Sequence, residues 1–128
     1  LTTLHLCGTS VTNKGVQNIA TKCNINLQTL DLSKTLVTDV SALAACPNLQ
    51  TLNLSKTSVT DEGVIYALHE TLETLSLSET LVTDAIIDKI GVDICPNLKT
   101  LVLRKTPGVT SITALVTRLP RLKIVYMR

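Results

Sequence analysis

The chain has 128 residues, a length that suits one domain; 45% are hydrophobic and 17% charged, which excludes a disordered tail. The formal net charge is +2, and no apolar run approaches the roughly 20 residues that a membrane-spanning helix needs. Trp and Phe are absent and the aromatics are Tyr66 and Tyr126, so the core must be filled by Leu, Val and Ile. Stacked, nearly identical layers can be filled that way.

The chain opens in mid-pattern. Leu1 to Leu6 reads LTTLHL, with three apolar positions on one side of a short strand and the intervening residues on the other. Thr9 follows, then Val11, then Thr12-Asn13, whose side-chain oxygens suit a helix start. Val16, Ile19 and Ala20 lie at helical spacing after it. The second copy, from Leu27, reads LQTLDL and continues through Thr35, Val37 and Thr38-Asp39. The third, from Leu49, reads LQTLNL and continues through Thr57, Val59 and Thr60-Asp61, with Val64, Ala67 and Leu68 as its helical face. The fourth, from Leu72, reads LETLSL, then Thr80, Val82 and Thr83-Asp84. The fifth, from Leu98, reads LKTLVL; there Pro107-Gly108 adds one residue between Thr106 and Val109, before Thr110-Ser111. A degenerate sixth word, LKIVYM, starts at Leu122.

The starts at 1, 27, 49, 72, 98 and 122 give periods of 26, 22, 23, 26 and 24 residues. Each copy reads as strand, turn and helix, and Pro47 and Pro96 stop the helix before the next strand. One copy cannot bury its apolar edge alone, whereas stacking makes a continuous core. The Thr after each strand is expected to satisfy backbone groups where the chain turns, and the Val to point inward.

These words resemble the leucine-rich repeat family over the whole chain. Cys46-Pro47-Asn48-Leu49, Cys95-Pro96-Asn97-Leu98, Cys23 before Leu27 and the Val-Thr-Asp helix starts resemble its cysteine-containing subtype, common in F-box-type substrate adaptors. The chain departs from that subtype in its Thr column, where Cys or Asn is usual, and in its periods of 22 and 23 residues. The resemblance implies an α/β right-handed solenoid over residues 1–128, with a parallel β-sheet on the concave face and helices on the convex face. Both ends lack a polar cap, so the expectation is a piece of a longer array.

No phosphate loop, GxSxG, HExxH or zinc-finger spacing occurs, so no catalytic residue, metal site or cofactor is expected. His5 and Cys7 share one side of a strand without a third group and read as surface residues. His69, at a helix end, suits the dipole. Cys23, Cys46 and Cys95 read as small buried hydrophobes, reduced in a cytoplasmic or nuclear protein. Asn53-Leu54-Ser55 is formally a glycosylation sequon, placed in a strand where a glycan fits poorly.

Arrays of this type bind through the concave sheet, whose outward positions vary. Position two supplies Gln28, Gln50, Glu73, Lys99 and Lys123. Position five supplies Asp31, Asn53, Ser76, Val102 and Tyr126, and positions seven and eight supply Lys56, Arg104 and Lys105. Position three is Thr in five copies and reads as a cross-strand ladder. At about 4.8 Å per strand, six strands span roughly 24 Å. From Leu98 on there are seven basic residues and no acidic one, against five basic and ten acidic before it. The two parts therefore carry +7 and −5, which points to an acidic neighbour at the C-terminal end.

The expected function is a non-enzymatic protein-binding module or scaffold, and the resemblance implies substrate recognition in a ubiquitin-ligase adaptor. The alternative is a structural subunit of a large assembly, such as a ribonucleoprotein, that meets an acidic partner through its basic end. Direct nucleic-acid binding is disfavoured, because stacking aromatics are missing apart from Tyr126 and the cations divide between strand and helix sides.

Overall fold

The computed structural model describes residues 2–23, 25–91 and 94–127; Leu1, the Cys23 side chain and Arg128 lie outside the described residues. Six parallel strands form one sheet in chain order. They are β1 (Thr3–His5), β2 (Thr29–Asp31), β3 (Thr51–Asn53), β4 (Thr74–Ser76), β5 (Thr100–Arg104) and β6 (Lys123–Met127). Parallel neighbours need a crossover, and each crossover here runs over the sheet's inner face. It is made by α1 (Asn13–Cys23), a 3-10 helix at Ser41–Ala45, α2 (Asp61–Val64) continued by a 3-10 turn at Ile65–Ala67, α3 (Asp84–Ile87) and α4 (Thr113–Arg118).

Apart from α1, with 11 residues, these helices are short. In the second and third copies, a period of 22 or 23 residues leaves room for about one turn once strand and loops are placed. Two helix starts differ from expectation. Thr60 caps α2 by accepting from Gly63 N (3.2 Å), and Thr83 caps α3 by accepting from Ala85 N (3.2 Å). In the second and fifth copies the helices begin later, after Val40 and Ile112, which make no side-chain cap bond. Asp39 instead accepts from Ser41 N and Ser111 from Thr113 N.

The core consists of columns of aliphatic side chains. Leu30, Leu52, Leu75 and Leu101 are in register across β2 to β5, and all are fully buried. Leu32, Leu54, Leu77 and Leu103 form a second column, and Val37, Val59, Val82 and Val109 a third. The Thr column lies beside them. Thr35, Thr57 and Thr80 are buried, and each donates its hydroxyl to the carbonyl three residues back, at 2.6–2.7 Å. Thr106, next to the extra residue of its turn, donates instead to Leu77 O and Arg104 O at 3.3 and 3.4 Å. Cys46 and Cys95 are fully buried, and burial pushes the Cys95 thiol up to about 12.

Three further ladders tie each copy to the next. Position eight takes the left-handed conformation in every copy from the first to the fifth: Gly8, Lys34, Lys56, Glu79 and Lys105 have φ of 74°, 56°, 57°, 55° and 52°. For residues other than Gly this costs about 1–2 kcal/mol each. The turn points each of these N–H groups at the position-seven carbonyl one copy on, at 2.7–3.0 Å, from Gly8 to Ser33 through Lys105 to Met127. The parallel ladder thus extends past the strands themselves.

The second ladder uses the helix starts. Asn13 Oδ1 accepts from Thr38 N and Asp39 N, Asp61 accepts from the backbone and hydroxyl of Thr83, and Asp84 does the same for Thr110. The third uses the residue before each repeat's first Leu. Asn48 donates to Ile25 O, Thr71 to Pro47 O and Leu49 O, and Asn97 to Glu70 O. His69 Nε2 lies 2.7 Å from Leu43 O. A carbonyl only accepts, so this nitrogen carries the proton, and the side chain serves as an interlayer link.

Arg118 belongs to the same class. Its guanidinium donates to Ile87 O (2.8 Å) and Ile90 O (2.9 and 2.6 Å), satisfying carbonyls at the end of α3 and just after it. Arg118→Ala should destabilise the fold by about 1.5–3 kcal/mol, read as a lowered urea midpoint. Lys there should recover only part, since it lacks the planar fork; full rescue by Lys would contradict the capping role.

Candidate interaction surface on the sheet face

The outward face of the sheet is a grid. Position three forms the Thr ladder, Thr3↔Thr29↔Thr51↔Thr74↔Thr100. Position five forms the variable column His5, Asp31, Asn53, Ser76 and Val102. Cys7 and His5 are both exposed at its first end. Among the described residues, no three His, Cys, Asp or Glu side chains are grouped to hold a metal ion.

β6 departs from the alignment of the words. It pairs Thr100 with Lys123, Leu101 with Ile124, Val102 with Val125 and Leu103 with Tyr126, so the sixth copy lies one residue earlier than LKIVYM suggests. Lys123 therefore joins the Thr column and not position two, and Val125 occupies position five. Tyr126 is turned inward: it is partly buried against the core, and its hydroxyl donates to Val109 O at 2.9 Å. A one-residue slip exchanges the faces of a strand. The hydroxyl's bond to the widened turn at Pro107–Gly108 gives the large ring a satisfied inward place.

Several expected surface residues are already engaged. Asp31 accepts from the backbone and hydroxyl of Ser33 (2.9 and 2.6 Å), and Asn53 from Ser55 N (3.0 Å). Glu73 pairs with Lys99 at 3.5 Å and Glu79 with Lys56 at 3.9 Å, each across adjacent copies. Such exposed pairs contribute at most about 1 kcal/mol, so a partner can displace them. Gln28 and Gln50 are exposed at position two.

Ser76, Val102, Arg104, Lys105 and Lys56 come together around an open groove of about 490 Å3. Ser55, Ser78, Glu79 and Met127 complete it. Ser55, Ser78 and Met127 are not among the expected contacts, which are the charged Lys56 and Lys105 of position eight and Arg104 of position seven. The Ser at that position in the second, third and fourth copies was the available signal. Of the seven C-terminal cations, Arg118 is spent on capping and Lys99 on Glu73. Among the described residues Arg104, Lys105, Arg121 and Lys123 have no carboxylate within ion-pair distance.

Parallel strands in unbroken order, aliphatic columns and a repeated polar turn define a leucine-rich-repeat solenoid. Residues 25–67 match the family model described as Leucine Rich repeats (2 copies). Two crystal structures from Listeria monocytogenes strain 4b F2365 share the fold. Internalin C2 is 22% identical with a TM-score of 0.63, and the match covers 98% of this chain and 70% of internalin C2. An internalin, inlF, is 20% identical with a TM-score of 0.64, with 98% of this chain covered but 42% of its own length. No curated protein sequence matches the chain.

Proposed function

We propose that this chain is a non-enzymatic protein-interaction module that presents the outward face of its sheet to a protein partner. The carrying observation is the division of labour in the grid. Repeated residues are consumed by the core and the interlayer ladders, whereas the side chains of positions two and five vary from copy to copy and stay exposed or half-buried on the outward face. The layers are tied by backbone and side-chain bonds, so the surface is ordered before it meets a partner, which lowers the entropic cost of binding.

The finer reading is substrate recognition in a ubiquitin-ligase adaptor within the cytosol or nucleus. It is supported by the resemblance of the Cys-Pro-Asn words and by Cys95 being a free, fully buried thiol. The test is site-specific photo-cross-linking. A benzophenone side chain at Asp31, Asn53 or Ser76 should give discrete protein adducts in cell extract. The same group at Lys14 or Lys22, on α1, should not. Equal yields from both sets would refute the sheet face as the contact.

A further inference from the structure

The two ends of the outward face are not equivalent. The groove around Ser55, Ser76 and Val102 is rimmed by three cations, Lys56, Arg104 and Lys105, and by one carboxylate, Glu79. Glu79 is paired with Lys56, which leaves the two cations of β5 and its turn uncompensated. No acidic residue follows Leu98 in the sequence. The groove therefore calls for a carboxylate-bearing ligand.

Its floor and wall narrow the choice. Ser55 Oγ and Ser76 Oγ lie 2.5 Å apart; one hydroxyl donates to the other, and the second hydrogen is left for a further acceptor. Val102 and the exposed Met127 form an apolar flank. Tyr126 faces inward with its hydroxyl bonded to Val109 O, so the groove offers no aromatic platform for bases. Hydroxyls, two cations and an aliphatic wall suit a peptide that interleaves carboxylates with an apolar side chain.

We propose that this groove binds an acidic peptide segment of the partner protein, with carboxylates at Arg104 and Lys105 and an apolar side chain over Val102 and Met127. This rests on the protein-binding reading above and gives it a sign and a place.

The probe is a fluorescein-labelled heptapeptide of six glutamates around a central leucine, followed by fluorescence anisotropy at physiological salt. Controls are a lysine counterpart and a hexanucleotide of single-stranded RNA. The test variant is Arg104→Glu with Lys105→Glu. The backbone tolerates Glu at the second site, because Glu79 holds the equivalent turn at φ 55° against 52° for Lys105. A neutral pair, Arg104→Gln with Lys105→Asn, is the second variant.

The acidic peptide should bind. Reversal should weaken it at least about tenfold and neutralisation less, while Lys14→Glu with Lys22→Glu, the same charge change on α1, should leave it within about twofold. Equal losses from the two reversals would reduce the effect to net charge and overturn the proposal. Tighter binding of the RNA would overturn it in favour of nucleic acid. If the peptide fails to bind while cross-links still form at Asp31, Asn53 and Ser76, the acidic-peptide inference fails alone and the protein-binding reading stands.

Discussion

Leu75→Ala should lower the free energy of unfolding by about 2–5 kcal/mol. Leu75 is fully buried in β4, in register with Leu52 on one side and Leu101 on the other. In a stacked array each copy touches only its neighbours, so a cavity in the fourth layer weakens two interfaces together. Leu4, partly buried in β1, has a single neighbouring strand in the sheet, and Leu4→Ala should cost less than half as much. Urea unfolding with comparable m-values gives both numbers. Equal losses would contradict a core built from layers.

Gly63→Ala should destabilise by about 2–3 kcal/mol, although Ala is the better helix former by about 1 kcal/mol. A Cβ on Gly63 would lie 2.3 Å from Thr38 O and 3.2 Å from Asp39 Cα, both backbone atoms of the preceding copy. That approach lets Val40 N reach Gly63 O at 2.8 Å. This seam also lacks the Asp-to-Thr link found elsewhere, since Asp39 turns back to Ser41 N, so the close backbone contact takes its place. Gly108 stands similarly, with a Cβ at 2.4 Å from Val82 O. Gly15→Ala is the control. Its Cβ would meet only the Val11 side chain, at 3.0 and 3.9 Å, and thermal unfolding should place it within about 1 kcal/mol of the parent.

The strands and their register were legible for five copies, because Leu at three fixed positions admits one alignment. At LKIVYM the letters could not decide. Leu122, Ile124, Val125, Tyr126 and Met127 are apolar at nearly every position, so either face can be written inward. Register there is set by backbone pairing, with Lys123 N donating to Lys99 O at 2.9 Å, and by the hydroxyl of Tyr126. The turn hydroxyls of Thr35, Thr57 and Thr80 were equally readable, since their partners lie three residues back, and so were the inward valines, which recur at a fixed place. The interlayer links were not. Asn48, Asp61, Asp84 and Asn97 find partners 22 to 27 residues away, and sequence shows the polar side chain without showing what lies above it. Asn48 and Asn97, legible only as letters of the Cys-Pro-Asn words, are stacking residues. The left-handed turn was hidden by Lys and Glu, residues that do not advertise a positive φ; only Gly8 did. The groove was half legible: its cations stood out as charge, whereas Ser55, Ser78 and Met127 gained meaning only from neighbouring strands.

The interlayer bonds have a consequence for size. Each joins one fixed position of a copy to another fixed position of the next, as from Asn13 to Thr38, Asp61 to Thr83 or Lys56 to Ser78. A whole copy added or removed leaves every remaining partner in step, whereas a fraction of a copy strands donors and acceptors on both sides of the break. The molecule therefore works as a ruler with a fixed division of about 4.8 Å, the distance between strands. Its reach across another surface can lengthen or shorten only in whole divisions.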